Sequence, residues 1–225
     1  MNAHFSKDWV FGLVGAGGFG REVMPLALNS IAMKLGGKTD GRVCFVETSP
    51  QSALINGIPC ISEDDFFALD SQRKSFNIAV ADSAVRQSIS ERWIAQDVEP
   101  LSVRSMSAEV LDTNDLHSGA ILCGFSSVTS NVRIGKFFHA NMYSYVAHDC
   151  VVGDYVTFAP NVHCNGNVHI GDHAYVGTGA IIKQGSAEKP LWIGEGAVIG
   201  MGAVVYTDVP PFTTVIGNPA RAFGN

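Results

Sequence analysis

Charge is scarce in this chain: Asp, Glu, Lys and Arg make up 16 % of its 225 residues, against about 25 % in an average soluble domain. Lys and Arg nowhere form a run, and the formal net charge is −6. A surface that neutralises nucleic-acid phosphates or clings to an anionic membrane is therefore not expected. No stretch reaches the ~18 uninterrupted apolar residues that cross a bilayer. The opening MNAHFSKDW lacks the charged-then-apolar layout of a signal peptide, so a cytoplasmic protein is expected. The five cysteines, Cys44, Cys60, Cys123, Cys150 and Cys164, form no C-x-x-C pair, and an odd number cannot close entirely into internal bridges. Buried, reduced thiols are the expectation.

Glycine is abundant, at 24 residues, and its placement divides the chain. In the first part an apolar run at 9–14 meets GAGGFG at 15–20, followed by REVMPLALNSIAMKL with helical apolar spacing. This predicts strand, glycine turn, helix. Further strands are predicted at 42–47 and 76–81, with helices at 63–69 and 83–96, the alternation of a small parallel sheet with crossovers. Gly15, Gly17 and Gly20, with Gly18 between them, satisfy G-x-G-x-x-G, whose missing side chains let backbone N–H groups and a helix N-terminus approach a pyrophosphate. Glu47, ending the second strand, could hold a ribose hydroxyl, although it lies 27 residues beyond Gly20 rather than about 20 after the motif. A merely tight strand-to-helix turn is the alternative reading. Nothing in the motif separates NAD from a nucleotide-sugar.

The second part is periodic. From Val110 to Ile182 every sixth residue is apolar, in thirteen of thirteen positions. At the chain-wide apolar frequency of 46 % the chance is roughly 4 in 100,000 before allowing for six registers. The following residue is often Gly or Asn (Gly135, Asn141, Gly153, Asn165, Gly171, Gly177), the types that most readily take positive φ. Two residues earlier stand mostly small or β-branched side chains. Such a unit cannot bury its apolar side alone and must stack on its neighbours as a β-solenoid. Three six-residue sides make an 18-residue triangular coil. After Ile182 the register slips, and 183–192 (KQGSAEKPLW) is expected as a loop thrown out of the coil. The C-terminal DVPPFTTVIGNPARAF is expected to cap the last coil.

With these motifs in place, the chain resembles the hexapeptide-repeat acyltransferases, and within them the sialic acid O-acetyltransferase-like group that includes UDP-amino-sugar N-acetyltransferases of bacillosamine biosynthesis. The resemblance spans almost the whole chain and rests on GAGGFG, HDCVVGD at 148–154, NGNVHIG at 165–171 and VIGNPAR near the end. It implies a Rossmann-like nucleotide-sugar domain at 1–105 and a left-handed parallel β-helix at 106–225. It also implies a homotrimer with active sites between subunits and acetyl-CoA along the coils.

The family match assigns His148 as general base, Asp149 as the acidic residue that orients it, and Gly166 as the N–H that holds the thioester oxygen. Counting 18 residues onward from His148 places Gly166 directly above it, about 4.8 Å along the stack; a glycine needed only for the turn's φ is the alternative. Asn141 matches an acceptor-sugar contact, or serves the turn. Thr178 and the stretch with Met201, Gly202 and Ala203 are expected along pantetheine, and Arg221 on a CoA phosphate or free at the surface. His139, His163, His169 and His173 fall on different coil sides and suggest no metal site. Thr157 stands where the bacillosamine enzyme has a second histidine, Phe19 where histidine is common and Glu47 where aspartate is common, so the nucleotide base stays open. The implied activity is acetyl-CoA-dependent N-acetylation of a nucleotide-linked 4-amino-4,6-dideoxy-sugar for a bacterial surface glycan. The alternatives are sugar O-acetylation and a non-catalytic sugar-nucleotide-binding protein.

Overall fold

The computed structural model describes residues 5–34, 36–37 and 39–224, with nothing given of the Lys34 side chain. The chain divides into two compact units, 1–106 and 107–225, against the 1–105 and 106–225 that the resemblance implies.

In the first unit, β1 (Trp9–Val14) is followed by α1 (Gly18–Lys34), β2 (Val43–Glu47), β3 (Leu54–Ile55), β4 (Ile58–Ser62), α2 (Glu63–Phe67), β5 (Arg73–Ile78), α3 (Ser83–Ile94) and β6 (Glu99–Pro100). The sheet order is β3-β4-β2-β1-β5-β6, parallel except where β3 meets β4. The chain leaves β1 toward β2 and later returns to its other side as β5. The strand order thus reverses between β1 and β5, the place where open α/β sheets receive ligands beyond their carboxyl ends. β1 and β2 are almost wholly buried, as continuous apolar strands covered on both faces must be. Ser62 and Asp82 cap α2 and α3 through side-chain oxygens that accept from Asp65 and Val85 N–H, offsetting orphan donors of the first turn. β5 begins three residues earlier than its apolar run suggests and stops at Ile78, leaving 79–81 to the turn. The β3–β4 hairpin escaped the reading of the sequence. Its signal was present in Asn56-Gly57, both at positive φ, the dipeptide of a tight hairpin turn.

The second unit is a three-sided parallel β-helix. Its first face carries Ile121–Leu122, His139–Ala140, Thr157–Phe158, Tyr175–Val176, Val198–Ile199 and Thr214–Ile216; its second, Glu109–Val110 through Tyr145–Val146, His163–Cys164 and Ile181–Ile182 to Val204–Val205; its third, Asp115–Leu116 through Val151–Val152 and Val168–Ile170 to Leu191–Ile193. Partners stand 18 residues apart, as in His139↔Thr157 and Tyr145↔His163. The six-step residues from Leu122 to Ile182 are all buried, and one continuous apolar column fills the prism. Val110 and Leu116, at its open end, are only partly so.

Two expectations need correction. The excursion is shorter than 183–192, because Leu191 and Trp192 already belong to a strand that pairs with Val168 and His169. Hydrogen bonding to the third face recaptures the chain there. The positive-φ corner is also not the Gly/Asn position. It falls two residues later, at Phe125, Asn131, Phe137, Tyr143, Asp149, Tyr155, Asn161, Asn167 and His173, all with φ between 51° and 62°. The glycines serve close stacking instead: a Cβ on Gly153 would lie 2.2 Å from Asp172 Oδ1 and 2.7 Å from its N. The C-terminal segment closes the stack as an antiparallel pair, Val215 opposite Ala222.

Candidate active site

The imidazole of His148 and the carboxylate of Asp149 lie at the corner between the second and third faces. His148 Nδ1 and Asp149 Oδ2 are 2.7 Å apart. An ionised carboxylate only accepts, so Nδ1 carries the hydrogen, and in the neutral imidazole it is Nε2 that presents the lone pair. The bond to His148, helped by one from Asn131, holds the Asp149 carboxyl below its ordinary value, against a smaller opposing effect of burial. Asp149 is a positive-φ residue, so the turn itself presents its side chain beside the preceding histidine. Both side chains are 46 % exposed, open to substrate.

Gly166 stands one coil above. A Cβ there would lie 2.5 Å from His148 Cε1 and 2.6 Å from Nε2, so no larger residue fits while the ring keeps its place. Its φ is not positive, which removes the turn as the reason for glycine. Gly166 is buried, its carbonyl accepts from Gly185 N–H at 3.0 Å, and among the described residues its own N–H has no acceptor. A buried N–H left over in a finished fold is available to a ligand.

The remaining expected residues are not at this corner. Asn141, Thr178, Met201 and Gly202 occupy the corner between the first and second faces, as their flanking strands show. The Asn141 amide donates to Phe158 O at 2.8 Å, the same bond that Asn165 makes to Ile182 O at 2.7 Å, which ties that amide to the coil backbone. Met201 is exposed, while Ala203 is fully buried. The Ala203 methyl belongs to the apolar column that fills the prism, where the narrow corner needs a small side chain. Thr157 is buried on the first face, away from His148 in the same chain. Arg221 is exposed and donates to Ala220 O. His139, His163 and His169 take one face each, and His173 the corner between the third and first.

In the first unit, Gly15 has φ 97° and a Cβ on Gly20 would lie 1.9 Å from Gly15 O, so both positions need glycine for the strand-to-helix turn itself. Gly17 and Gly18 are different. Neither has positive φ, both are exposed, and a Cβ on either would meet nothing within 4 Å. The chain's own packing gives no reason for these two glycines, whereas a phosphate lying on the backbone at the start of α1 does. Glu47 accepts from Ala16 N–H, so one of its carboxylate oxygens braces the loop. The β5–α3 turn, fixed by Arg86 Nη1 donating to Val80 O at 2.8 Å, borders the loop at Gly15.

The family model of the PglD N-terminal domain matches residues 11–93. Over 212 residues the chain is 46 % identical to the GDP-perosamine N-acetyltransferase of Escherichia coli O157:H7, covering 94 % of this chain and 95 % of that one. Among solved structures, WeeI from Acinetobacter baumannii AYE matches with a TM-score of 0.91 at 48 % identity, over 96 % of this chain and 100 % of that one. The acetyltransferase domain of PglB from Neisseria gonorrhoeae FA1090, in complex with acetyl coenzyme A, matches with a TM-score of 0.84 at 27 % identity, over 96 % and 100 %.

Proposed function

Because the chain belongs to the hexapeptide-repeat sugar N-acetyltransferases, acetyl-CoA-dependent enzymes that acetylate nucleotide-linked amino sugars, we propose that its acceptor is GDP-perosamine and its base is His148. Perosamine is a 4-amino-4,6-dideoxy sugar, the class that the family resemblance implies, and the GDP-linked form is the substrate named for the 46 % identical relative. The single observation that carries the mechanism is the His148–Asp149 pair lying under the unused Gly166 N–H.

The sugar amine attacks the thioester carbon, a C–N bond forms, and the carbonyl electron pair moves onto oxygen. Gly166 N–H donates to that oxyanion, an interaction that strengthens as charge develops. His148 Nε2 takes the amine proton, and Asp149 stabilises the resulting imidazolium. Collapse breaks the C–S bond, and CoA leaves as a thiol once it gains a proton. Gly17, Gly18 and Glu47 receive the nucleotide portion. Thr178, Met201 and Gly202 line pantetheine from a neighbouring copy of the chain in a homotrimer, which suits their place at a corner other than that of His148. Arg221 is assigned to a CoA phosphate and Asn141 to the acceptor on the family match. No helix among the described residues is long and apolar enough to cross a membrane, and the proposed place of action is the cytoplasm, in the supply of an N-acetylated sugar for a surface glycan.

The test is CoA release from acetyl-CoA with GDP-perosamine, a UDP-linked 4-amino sugar and sialic acid in parallel. Release fastest with GDP-perosamine, with an N-acetylated product by mass spectrometry, is the expected result. Preference for sialic acid, or release that survives His148→Ala, overturns the reading.

A further inference from the structure

Asp149 has two carboxylate oxygens, and His148 uses only one. The other, Oδ1, accepts from Asn131 Nδ2 at 3.3 Å. Asn131 lies 18 residues earlier, one coil below, at the equivalent corner position, and both residues have positive φ, 56° and 59°. The stack thus sets an amide donor directly beneath the carboxylate. Asp149 is half exposed, so packing alone does not fix the plane of its carboxylate.

We propose that Asn131 is a positioning residue for the acetyl transfer, holding the Asp149 carboxylate so that its other oxygen stays in line with His148 Nδ1. This rests on His148 being the base. An unheld carboxylate rotates about its Cβ–Cγ bond, and the imidazole it orients loses the alignment of Nε2 with the incoming amine. Loss of alignment lowers turnover without altering how either substrate binds. The bland explanation of Asn131 is that asparagine tolerates positive φ. Glycine tolerates it better, which lets the backbone and side-chain roles be separated.

Two variants test this. Asn131→Gly keeps the turn and removes the amide; Asn131→Asp keeps the shape, removes the donor and sets a like charge against Asp149. The expected result is a fall in kcat of roughly tenfold for Asn131→Gly, a small part of the ~10²–10⁴ of the base itself, with a larger fall for Asn131→Asp. KM for acetyl-CoA and for the amino-sugar nucleotide, and the thermal midpoint of Asn131→Gly, stay near wild type. In an Asp149→Ala background Asn131→Gly costs nothing further, since the residue acts only through that carboxylate. An unchanged kcat in Asn131→Gly, or an equal fold-loss in both backgrounds, overturns the proposal. If His148→Ala retains full turnover, the base assignment fails instead, and the two failures are told apart.

Discussion

At the scale of the residue, the pair at 148–149 and the glycine above it make separable demands. His148→Ala removes the base and is expected to lower kcat by ~10²–10⁴ while circular dichroism and the melting curve stay close to wild type, because the side chain is half exposed. Asp149→Asn withdraws the negative charge that supports the imidazolium, so kcat is expected to fall while KM for both substrates and the melting curve stay close to wild type. Gly166→Ala forces a methyl into the imidazole at 2.5 Å. Turnover should fall at least as far as in His148→Ala, and thermal unfolding should show a loss of about 1–3 kcal/mol from overpacking. His148 and Asp149 stood out in the sequence only through family resemblance. The coil count put Gly166 above them, and the structure adds the reason: the glycine is required by the ring face, not by φ. Asn131 went unseen because its significance is the contact to Asp149, which no local motif announces.

At the scale of the element, the glycine loop separates into two kinds of position. Gly20→Ala collides with the Gly15 carbonyl and is expected to destabilise the first unit. Gly17→Val meets open space, so the melting temperature should hold while KM for the nucleotide sugar rises about tenfold, a loss of ~1.4 kcal/mol in binding, measured by initial rates at saturating acetyl-CoA. A normal KM would remove Gly17 from the nucleotide site. The ion pair between α2 and α3 gives a pH-dependent contribution. Arg92 Nε donates to Glu63 Oε1 at 2.7 Å and Nη2 to Oε2 at 3.0 Å, and this bond, chiefly, holds the Glu63 carboxyl below its ordinary value. With its folded-state value lowered, the pair stabilises the fold above the unfolded carboxylate range, near pH ~4.3, and that stabilisation is lost as pH falls through the lower folded value. Urea melts of Arg92→Ala should therefore show a deficit of about 0.2–1 kcal/mol at neutral pH that fades in acid.

At the scale of the whole molecule, two of the prism's three corners pose the question of assembly. His148, Asp149 and Gly166 share one, while Thr178, Met201 and Gly202 share another. If pantetheine bridges two copies, sedimentation velocity should give a trimer, and Met201→Glu should raise KM for acetyl-CoA in the assembled enzyme. A monomer with full activity would place the whole site within one chain.

The sequence by itself determined the architecture of both parts. Strand, glycine turn and helix follow from local apolar spacing, and a six-residue period has one economical solution, since each short strand must find its hydrogen-bond partners a full coil away. It also determined which residues share a column, because 18 residues make one turn, and from that the approach of Gly166 to His148. Only the tertiary structure decided what each column is for. Whether a corner glycine answers to φ or to the backbone above it, whether Ala203 looks in or out, where the excursion after Ile182 rejoins the third face, and which side chain fills the second oxygen of Asp149 all depend on atoms a coil or more apart in sequence, whose distances no periodicity contains.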